Sequence, residues 1–267
     1  MIVIERASLA LVVDDGRRGR MHEGVAWSGP LAPELMARAN AAAGNARLAA
    51  AIELHGAITL RATAPARLAT ERGDVHALEA GDALTIGRDA SLRVRYLAIT
   101  GGFDVPRVLG SRTTLLAARL GGAGGAALRS GTSLSAGTDL GDDRPPPWEM
   151  RADEPLAIVA GPDHEAFHIS AITELTSQEY TITPASDRTG TRLSGPPLVR
   201  RGPDTQASAP MVAGAIQVAA DGAPIVLGPD HPTTGGYPVV AAIASRDLGR
   251  FFARPVGSPV RFCELRS

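Results

Sequence analysis

The run Thr233-Thr234-Gly235-Gly236-Tyr237 combines groups that could bind a small polar ligand. Glycine lets a backbone approach a ligand closely, and successive backbone N–H groups can hold an anion or a developing oxyanion. The two hydroxyls and the phenol can each donate or accept a hydrogen bond. A tight turn between two strands would use the same residue types, so the spacing alone leaves both interpretations open.

Two other segments carry polar side chains that could serve the same site. Arg188 could bind a carboxylate or phosphate through two parallel hydrogen bonds, oriented by the neighbouring Asp187. The alternative for this pair is an ion pair that braces a turn. Gln217 lies on an otherwise apolar strand, Ala215–Val218, and would point either to solvent or, in a barrel, into a ligand groove.

The remaining titratable and sulfur-containing residues suggest less chemistry. Only His231 lies inside a suspected site segment, which makes it the candidate base. His164 and His168 are four residues apart but have no third His or Cys nearby, so we predict a surface pair and no metal site. Cys263 lies in an apolar final strand and is predicted to be buried and unreactive.

Composition excludes several function classes. The chain has no lysine, so its 27 positive charges are all arginine, and it can carry neither a Schiff-base lysine, a P-loop lysine nor a biotinylated lysine. The segment Gly121–Gly125 is therefore predicted to be a flexible connection. A net charge of -1 argues against general binding to nucleic acid or anionic membranes. Without a long apolar run or a signal peptide, we expect a cytoplasmic protein that does not enter a membrane.

The elements that must position these residues are short. Glycine and proline number 30 and 20, and their even spread favours many strands joined by turns. Asp221-Gly222 predicts a hairpin. The predicted helices are Pro33–Ala43, which ends at Gly44, and Ser170–Ser177 and Ser245–Phe252, each with a capping serine. The predicted strands are Ile2–Ile4, Ala57–Arg61, Val94–Thr100, Leu156–Ala160, Glu179–Thr183, Ile216–Val218, Pro224–Leu227, Val239–Ile243 and Val260–Cys263.

A Pro-rich segment at 138–151 divides the chain into an N-terminal domain, 1–137, and a C-terminal domain, 152–267. Short motifs recur in the same order in both halves. Thr100-Gly101-Gly102-Phe103 precedes a proline in the first half, as the Thr-Gly-Gly-Tyr run does in the second. This order predicts a duplicated β domain.

Seven stretches that nearly span the chain resemble one known family, that of the C-type subunit of 5-oxoprolinase, also called allophanate hydrolase subunit 2 or the biotin-dependent carboxyltransferase family. They follow one another in family order. The stretches are Asp14–Gly29, Ala39–Glu53, Tyr96–Thr113, Gly161–Asp163, Glu179–Leu198, Gly214–Leu227 and Thr233–Pro238.

The resemblance implies a mainly β protein made of two cyclophilin-like β-barrel domains with a few short peripheral helices. It also implies a companion barrel subunit, with or without a third subunit, and an active site that none of them forms alone. The expected activity is the ATP-dependent opening of 5-oxoproline to glutamate, or a related biotin-dependent carboxyl transfer to an amide or hydrolysis of allophanate. ATP would be shared with, or bound by, the partner subunits, and this chain would carry no covalent biotin.

The chain also departs from the family pattern. His231, Pro232 and Val239 stand where relatives usually have Arg, Gln and Lys. These losses leave open a second interpretation, a non-catalytic protein that binds and regulates its companion subunit.

Combining the residues with the resemblance, we predict a cleft in the second domain that binds an amide or lactam. Arg188 would bind a carboxylate or phosphate, with Asp187 beside it. Gly235 and Gly236 would hold an oxyanion, Thr233 or Thr234 would orient the amide, and Gln217, His231 and Tyr237 would complete the substrate site. Trp27 marks a predicted interface with the companion subunit near Arg17–Gly29.

Overall fold

The computed structural model describes residues 1–143, 153–167, 171–201 and 207–265. It confirms the predicted fold class, because strands dominate and only three α-helices occur in these residues. The chain divides into two compact units, Met1–Arg20 with Trp27–Glu149 and Met21–Ala26 with Met150–Ser267. The predicted boundaries near 137 and 152 stay a prediction. Residues 144–151 of the predicted Pro-rich segment lie outside the described residues.

The first unit is built on an eight-stranded sheet. The strand order is β4-β3-β6-β2-β1-β8-β7, and β5 pairs with the second half of β2. Helix α1, Pro33–Ala43, ends at Gly44 as predicted, where the left-handed backbone (φ 76°) accommodates the turn. The strands are β1 Ile2–Val13, β2 Ala51–Ala62, β3 Ala66–Thr70, β4 Val75–Leu78, β5 Ala83–Ile86, β6 Arg95–Ile99, β7 Phe103–Asp104 and β8 Ser133–Ala136.

The long antiparallel pair β1–β2 organises the core of this unit. Its register runs from Ile2 opposite Ala62 to Val13 opposite Ala51, with two irregularities that follow Ile4 and Ala7. Alternate side chains of β2 are buried together with residues of β1, β6 and β7. The apolar face of the sheet therefore forms one continuous core.

The glycine-rich segment of the first unit is folded, so the prediction of a flexible connection there is wrong. The Gly122 N–H donates to the Arg112 carbonyl at 2.8 Å and the Gly125 N–H to the Gly121 carbonyl at 2.6 Å. Gly121, Gly122, Gly124 and Gly125 all have left-handed backbones. At Gly121 a Cβ would collide with the Thr113 carbonyl oxygen, so the segment packs too closely for a side chain there.

The second unit is a closed seven-stranded barrel. Its order is β10-β11-β14-β13-β16-β9-β17, and β17 closes it by pairing parallel with β9 and antiparallel with β10. Strands β12 and β15 form a separate two-stranded sheet. The strands are β9 Leu156–Ala160, β10 Glu179–Ile182, β11 Gly190–Ser194, β12 Ala209–Pro210, β13 Ala215–Val218, β14 Pro224–Leu227, β15 Thr234–Gly235, β16 Val239–Ile243 and β17 Pro259–Glu264.

Each of the nine predicted strands overlaps an observed one, and the hairpin at Asp221-Gly222 joins β13 to β14 as predicted. The other two helices are α2, Ala171–Ser177, and α3, Ser245–Ala253. The predicted cap Ser170 lies outside the described residues. The predicted cap by Ser245 is wrong, because Ala244 occupies the N-cap position and no side chain caps α3. No helix in the described part of the chain is long and apolar enough to cross a membrane.

Candidate functional site

Within the segment Thr233–Tyr237, Thr234 and Gly235 are extended and the backbone bends at Thr233 and Tyr237, so the interpretations as a turn and as a site both stay predictions. Thr234 and Gly235 form β15 and pair with Pro210 and Ala209 of β12. The Met211 N–H donates to the Thr233 carbonyl at 3.0 Å and continues this pairing. Thr234 and Tyr237 are exposed, and the residues between them are half-buried. The segment therefore presents hydroxyl, amide and phenol groups to solvent.

Gln217 is held directly against this segment. Only 6% of Gln217 is exposed, so its predicted solvent-facing alternative is wrong. Its Nε2 donates to the Tyr237 carbonyl at 3.0 Å and lies 3.2 Å from Met211 Sδ. A Cβ on Gly235 would stand 2.9 Å from Gln217 Nε2, so Gly235 leaves the space that the amide occupies. The structure thus brings together three of the predicted site residues, Gln217, Gly235 and Tyr237.

Asp163 fixes the same segment at its C-terminal end, and the sequence analysis did not select it. Asp163 Oδ2 accepts a hydrogen bond from the Val239 N–H at 2.9 Å, and its own N–H donates to the Val239 carbonyl at 3.2 Å. Gln217 lies opposite Val239 in the β13–β16 register. The signal was present in the sequence, because Asp163 ends the short stretch Gly161-Pro162-Asp163 that contributes to the family resemblance.

Arg188 forms an ion pair with Asp230, 42 residues further along the chain. Its Nε and Nη2 donate to Asp230 Oδ2 and Oδ1, both at 2.9 Å. The exposed fractions of the two side chains are 6% and 9%. The Asp230 N–H also donates to the Arg188 carbonyl at 3.0 Å. This geometry is that of a buried two-point brace, and the predicted role of Arg188 in binding a ligand anion stays a prediction.

Asp187 caps its own turn. Its Oδ1 accepts hydrogen bonds from the Thr189 N–H at 2.7 Å and the Gly190 N–H at 3.1 Å, immediately before β11. Such a bond to the second residue along the chain is how aspartate stabilises a turn. The carboxylate that grips Arg188 with both oxygens belongs to Asp230, whereas Asp187 stabilises the backbone that carries Arg188. A direct role of Asp187 in chemistry stays a prediction.

His231 is buried and directed toward its own chain. Its Nδ1 lies 2.7 Å from the Pro232 carbonyl oxygen. A carbonyl only accepts, so Nδ1 carries the proton and Nε2 is the basic nitrogen. Burial lowers the pKa of His231 below the ordinary value of 6.5, although the Pro232 carbonyl and Asp230 oppose this shift. His231 is therefore neutral at pH 7, the state that a base requires, and its assignment as a base stays a prediction.

Two further sequence-based expectations concern residues outside this segment. His164 is exposed and its Nδ1 donates to the Gly161 carbonyl at 2.8 Å, while His168 lies outside the described residues. Among the residues that the structure describes, no group of three or more His, Cys, Asp and Glu could hold a metal ion. Cys263 is exposed, so the prediction that it is buried is wrong.

Trp27, the predicted interface residue, packs within the first unit. Its Nε1 donates to the Asp15 carbonyl at 2.5 Å, and its ring occupies the space where a Cβ on Gly29 would stand. The Arg18 guanidinium lies over the ring, 5.1 Å from its centroid. Trp27 remains half-buried, and its role at an interface stays a prediction.

Comparison with known proteins identifies relatives along almost the whole chain. Residues 23–264 match the family described as carboxyltransferase domain, subdomain A and B. The chain is 31% identical to the C-type subunit of 5-oxoprolinase from Escherichia coli, over 99% of this chain and 91% of that protein. It is 29% identical to the corresponding 5-oxoprolinase subunit of Haemophilus influenzae, over 97% of this chain and 89% of that protein.

Among solved structures, the fold is similar to part of K. lactis urea amidolyase. The TM-score is 0.89 at 24% sequence identity, and the match covers 99% of this chain and 18% of that protein. At this identity, the likeness shows the fold alone.

Proposed function

Because the chain belongs to the family of carboxyltransferase domains with subdomains A and B, we propose that it is one subunit of an assembly that acts on an amide or lactam. The leading activity is that of the C-type subunit in an ATP-dependent 5-oxoprolinase, which opens 5-oxoproline to glutamate. The similarity to the Escherichia coli 5-oxoprolinase subunit along nearly the full length of both chains carries this proposal. A biotin-dependent carboxyltransferase or allophanate hydrolase complex would use related amide chemistry.

The groups that the second unit leaves for a ligand support a neutral amide. Gln217 and Asp163 are directed to backbone groups of Tyr237 and Val239, and the Arg188 fork faces Asp230. In the segment Thr233–Tyr237, Thr234 and Tyr237 are exposed, and Gly235 and Gly236 between them are half-buried. Such neutral donors and acceptors suit both the carbonyl and the N–H of a planar amide.

In this proposal, the Gly236 N–H holds the oxyanion that develops at the amide carbonyl, Gly235, paired with Ala209, supports its position, and Thr233 or Thr234 orients the amide. Among the described residues, no acceptor is hydrogen-bonded to the Gly236 N–H, which supports this role. Preorganised N–H groups of this kind stabilise charge that appears only in the transition state.

We assign ATP binding to the companion subunits or to a surface shared with them. The chain has no lysine, so it lacks the P-loop device that holds nucleotide phosphates, and it cannot carry covalent biotin. ATP would supply the free energy that opening a stable lactam requires. A companion barrel subunit and a third subunit would complete the active site.

A second candidate function is a non-catalytic partner that binds and regulates the companion subunit. Two charged or titratable side chains contact protein groups, which favours this function. Arg188 pairs with Asp230, and His231 donates to the carbonyl of its neighbour, Pro232. Together with the replacement of the family's Arg, Gln and Lys by His231, Pro232 and Val239, this leaves few groups for chemistry.

Reconstitution distinguishes the two functions. The chain is mixed with the companion subunits of a 5-oxoprolinase, and complex formation and glutamate release from 5-oxoproline with ATP are both measured. The matched variants are Thr234→Val, which removes the exposed hydroxyl and keeps the size, and Thr132→Val in the first unit. We expect turnover that Thr234→Val reduces and Thr132→Val does not.

Each other result decides between the candidates. A stable complex without glutamate release supports the regulatory function and contradicts the catalytic one. Neither a complex nor turnover contradicts both. If the two variants give equal turnover, the assigned site is contradicted, but the proposal that the chain belongs to the assembly stands.

A further inference from the structure

The segment Arg119–Gly125 of the first unit borders a cavity of about 340 Å³. Pro106 and Val108 also line it. Four glycines with left-handed backbones fold the segment back on itself, and hydrogen bonds from Gly122 and Gly125 hold this shape. Concavities made by such backbone are typical anion sites, and a volume of this size is within the range of small-ligand pockets.

Two N–H donors of the cavity wall have no acceptor among the residues that the structure describes. In the described ranges, the N–H groups of Gly121 and Gly124 make no hydrogen bond, although Gly121 is buried. Buried N–H groups without an acceptor are rare, because losing water without replacing its hydrogen bond costs free energy. The Thr114 hydroxyl, fully buried and without a hydrogen-bond partner in the described residues, lies directly against the Cβ position of Gly122. Hydrogen-bond donors without an acceptor in the described residues therefore lie at this wall or next to it.

The charge at the cavity is positive. Arg119 lines it, and no acidic residue is among those that do. The buried guanidinium of Arg17 lies behind Gly121, where its Nη2 donates to the Thr113 carbonyl at 2.7 Å. The Asp14 carboxylate accepts hydrogen bonds from the Ser111 and Thr113 hydroxyls and from the Arg112 N–H, and Asp104 and Asp139 pair with the Arg112 guanidinium.

We propose that this cavity binds a small oxyanion, a phosphate or a carboxylate group, through the Arg119 guanidinium and the N–H groups of Gly121 and Gly124. A guanidinium and converging amides are the donors that such groups accept in charge-assisted hydrogen bonds. The site is built from residues of the first unit and does not depend on the function proposed for the segment Thr233–Tyr237.

Calorimetric titration of the full chain tests this site, with inorganic phosphate, acetate and ATP as probes at constant ionic strength. We expect saturable binding of phosphate or acetate at one site. The probe that binds more tightly identifies the oxyanion, and binding of ATP in competition with phosphate identifies a nucleotide as its source. Arg119→Gln should weaken binding by about tenfold or more, the usual effect of losing a charge-assisted pair. Arg129→Gln, at another exposed arginine of the same unit, should leave binding unchanged.

A second pair of variants tests the backbone donors with matched strain. Gly124 (φ 74°) and Gly73 (φ 88°) are both left-handed, and a Cβ on either would meet nothing within 4 Å. Gly124→Ala places a methyl group beside the cavity and should weaken binding, whereas Gly73→Ala, in the β3–β4 turn, should not. The proposal is overturned if neither phosphate nor acetate binds saturably, or if the two members of each pair bind equally.

Discussion

Removing the Arg188 side chain should destabilise the second unit, because its partner would remain as a buried charge. Both Asp230 oxygens accept from Arg188 at 2.9 Å, and only 9% of the Asp230 side chain is exposed. In Arg188→Ala, that carboxylate would lose both hydrogen bonds in a place that water reaches poorly. Either it stays charged without a partner, or it takes up a proton, and each outcome costs folding free energy.

The expected loss is large for a single substitution. Removing one partner of a buried ion pair costs about 3–5 kcal/mol. For a domain of this size, each kcal/mol lowers the unfolding temperature by roughly 3–5 °C, so Tm should fall by on the order of 10–20 °C. If Arg188 instead served only to bind a ligand, its removal would affect binding and leave stability nearly unchanged.

Differential scanning calorimetry of the full chain measures this loss. Arg261→Ala is the control, because Arg261 is 53% exposed and its contact with Glu179 is as long as 4.0 Å. Its effect should stay within about 0.5 kcal/mol. The double variant Arg188→Met, Asp230→Leu should recover part of the loss, since it removes both charges together. If Arg188→Ala lowers the free energy of unfolding by less than about 1 kcal/mol, the reasoning is refuted and Arg188 is again a candidate for ligand binding.

Three further predictions follow from the same unit. Gly235→Ala should displace the Gln217 amide, because Nε2 would lie 2.9 Å from the new Cβ. The free energy of unfolding, measured by chemical denaturation, should fall by about 1–2 kcal/mol. The control Gly87→Ala should leave it unchanged, because a Cβ there would meet nothing within 4 Å. Because the folded pKa of His231 is depressed, the unfolded state takes up its proton first, so stability should decline as pH falls below about 6.5. His231→Asn should flatten this part of the pH profile of thermal unfolding, and His22→Asn, at an exposed position, should not. Cys263 should react with one equivalent of a thiol reagent in the folded protein; a reaction that requires denaturant would contradict its exposure.

Regular elements were predictable where local pattern and flanking residues agreed. Helix α1 has proline in its first turn and Gly44 at its end, and both signals are local. Strands β9, β14 and β16 begin and end where glycine, proline or polar residues bound apolar runs. The missed strands include β3, β5 and β15, which are only two to five residues long. Their pairing is decided by partners that lie elsewhere in the chain.

Two errors have different physical causes. The exposure of Cys263 could be predicted from the sequence, because successive side chains of a strand point to opposite faces. Strand β17 buries Val260 and Phe262, which places Arg261 and Cys263 on the other face. The folded state of Gly121–Gly125 was not readable. It depends on the close approach of Thr113 and Thr114, whose proximity only the tertiary structure establishes.

The partners of the site residues were unpredictable for the same reason. Arg188 and Asp230 are 42 residues apart, and Asp163 and Val239 are 76 apart. Composition and spacing identify a side chain that can form such a bond, but not which group the fold brings to it. The sequence therefore identifies Arg188 and Gln217 as candidates for a ligand site, with an ion pair and a solvent-facing position as their alternatives, but not the protein groups that they contact.

Buried polar side chains in this chain bind backbone groups of distant segments, and this pattern bears on how its site should be understood. Glu53 Oε2 accepts from the Leu31 N–H at 2.9 Å, and Asn45 links the Ile99 carbonyl to the Gly101 N–H at 2.8 and 2.7 Å. Gln217 does the same for Tyr237. A polar residue on an apolar strand here thus satisfies backbone that would otherwise be buried without a partner. It follows that Gln217 holds the Tyr237 segment in position, so in the proposed function the ligand would contact the exposed groups of that segment and not Gln217.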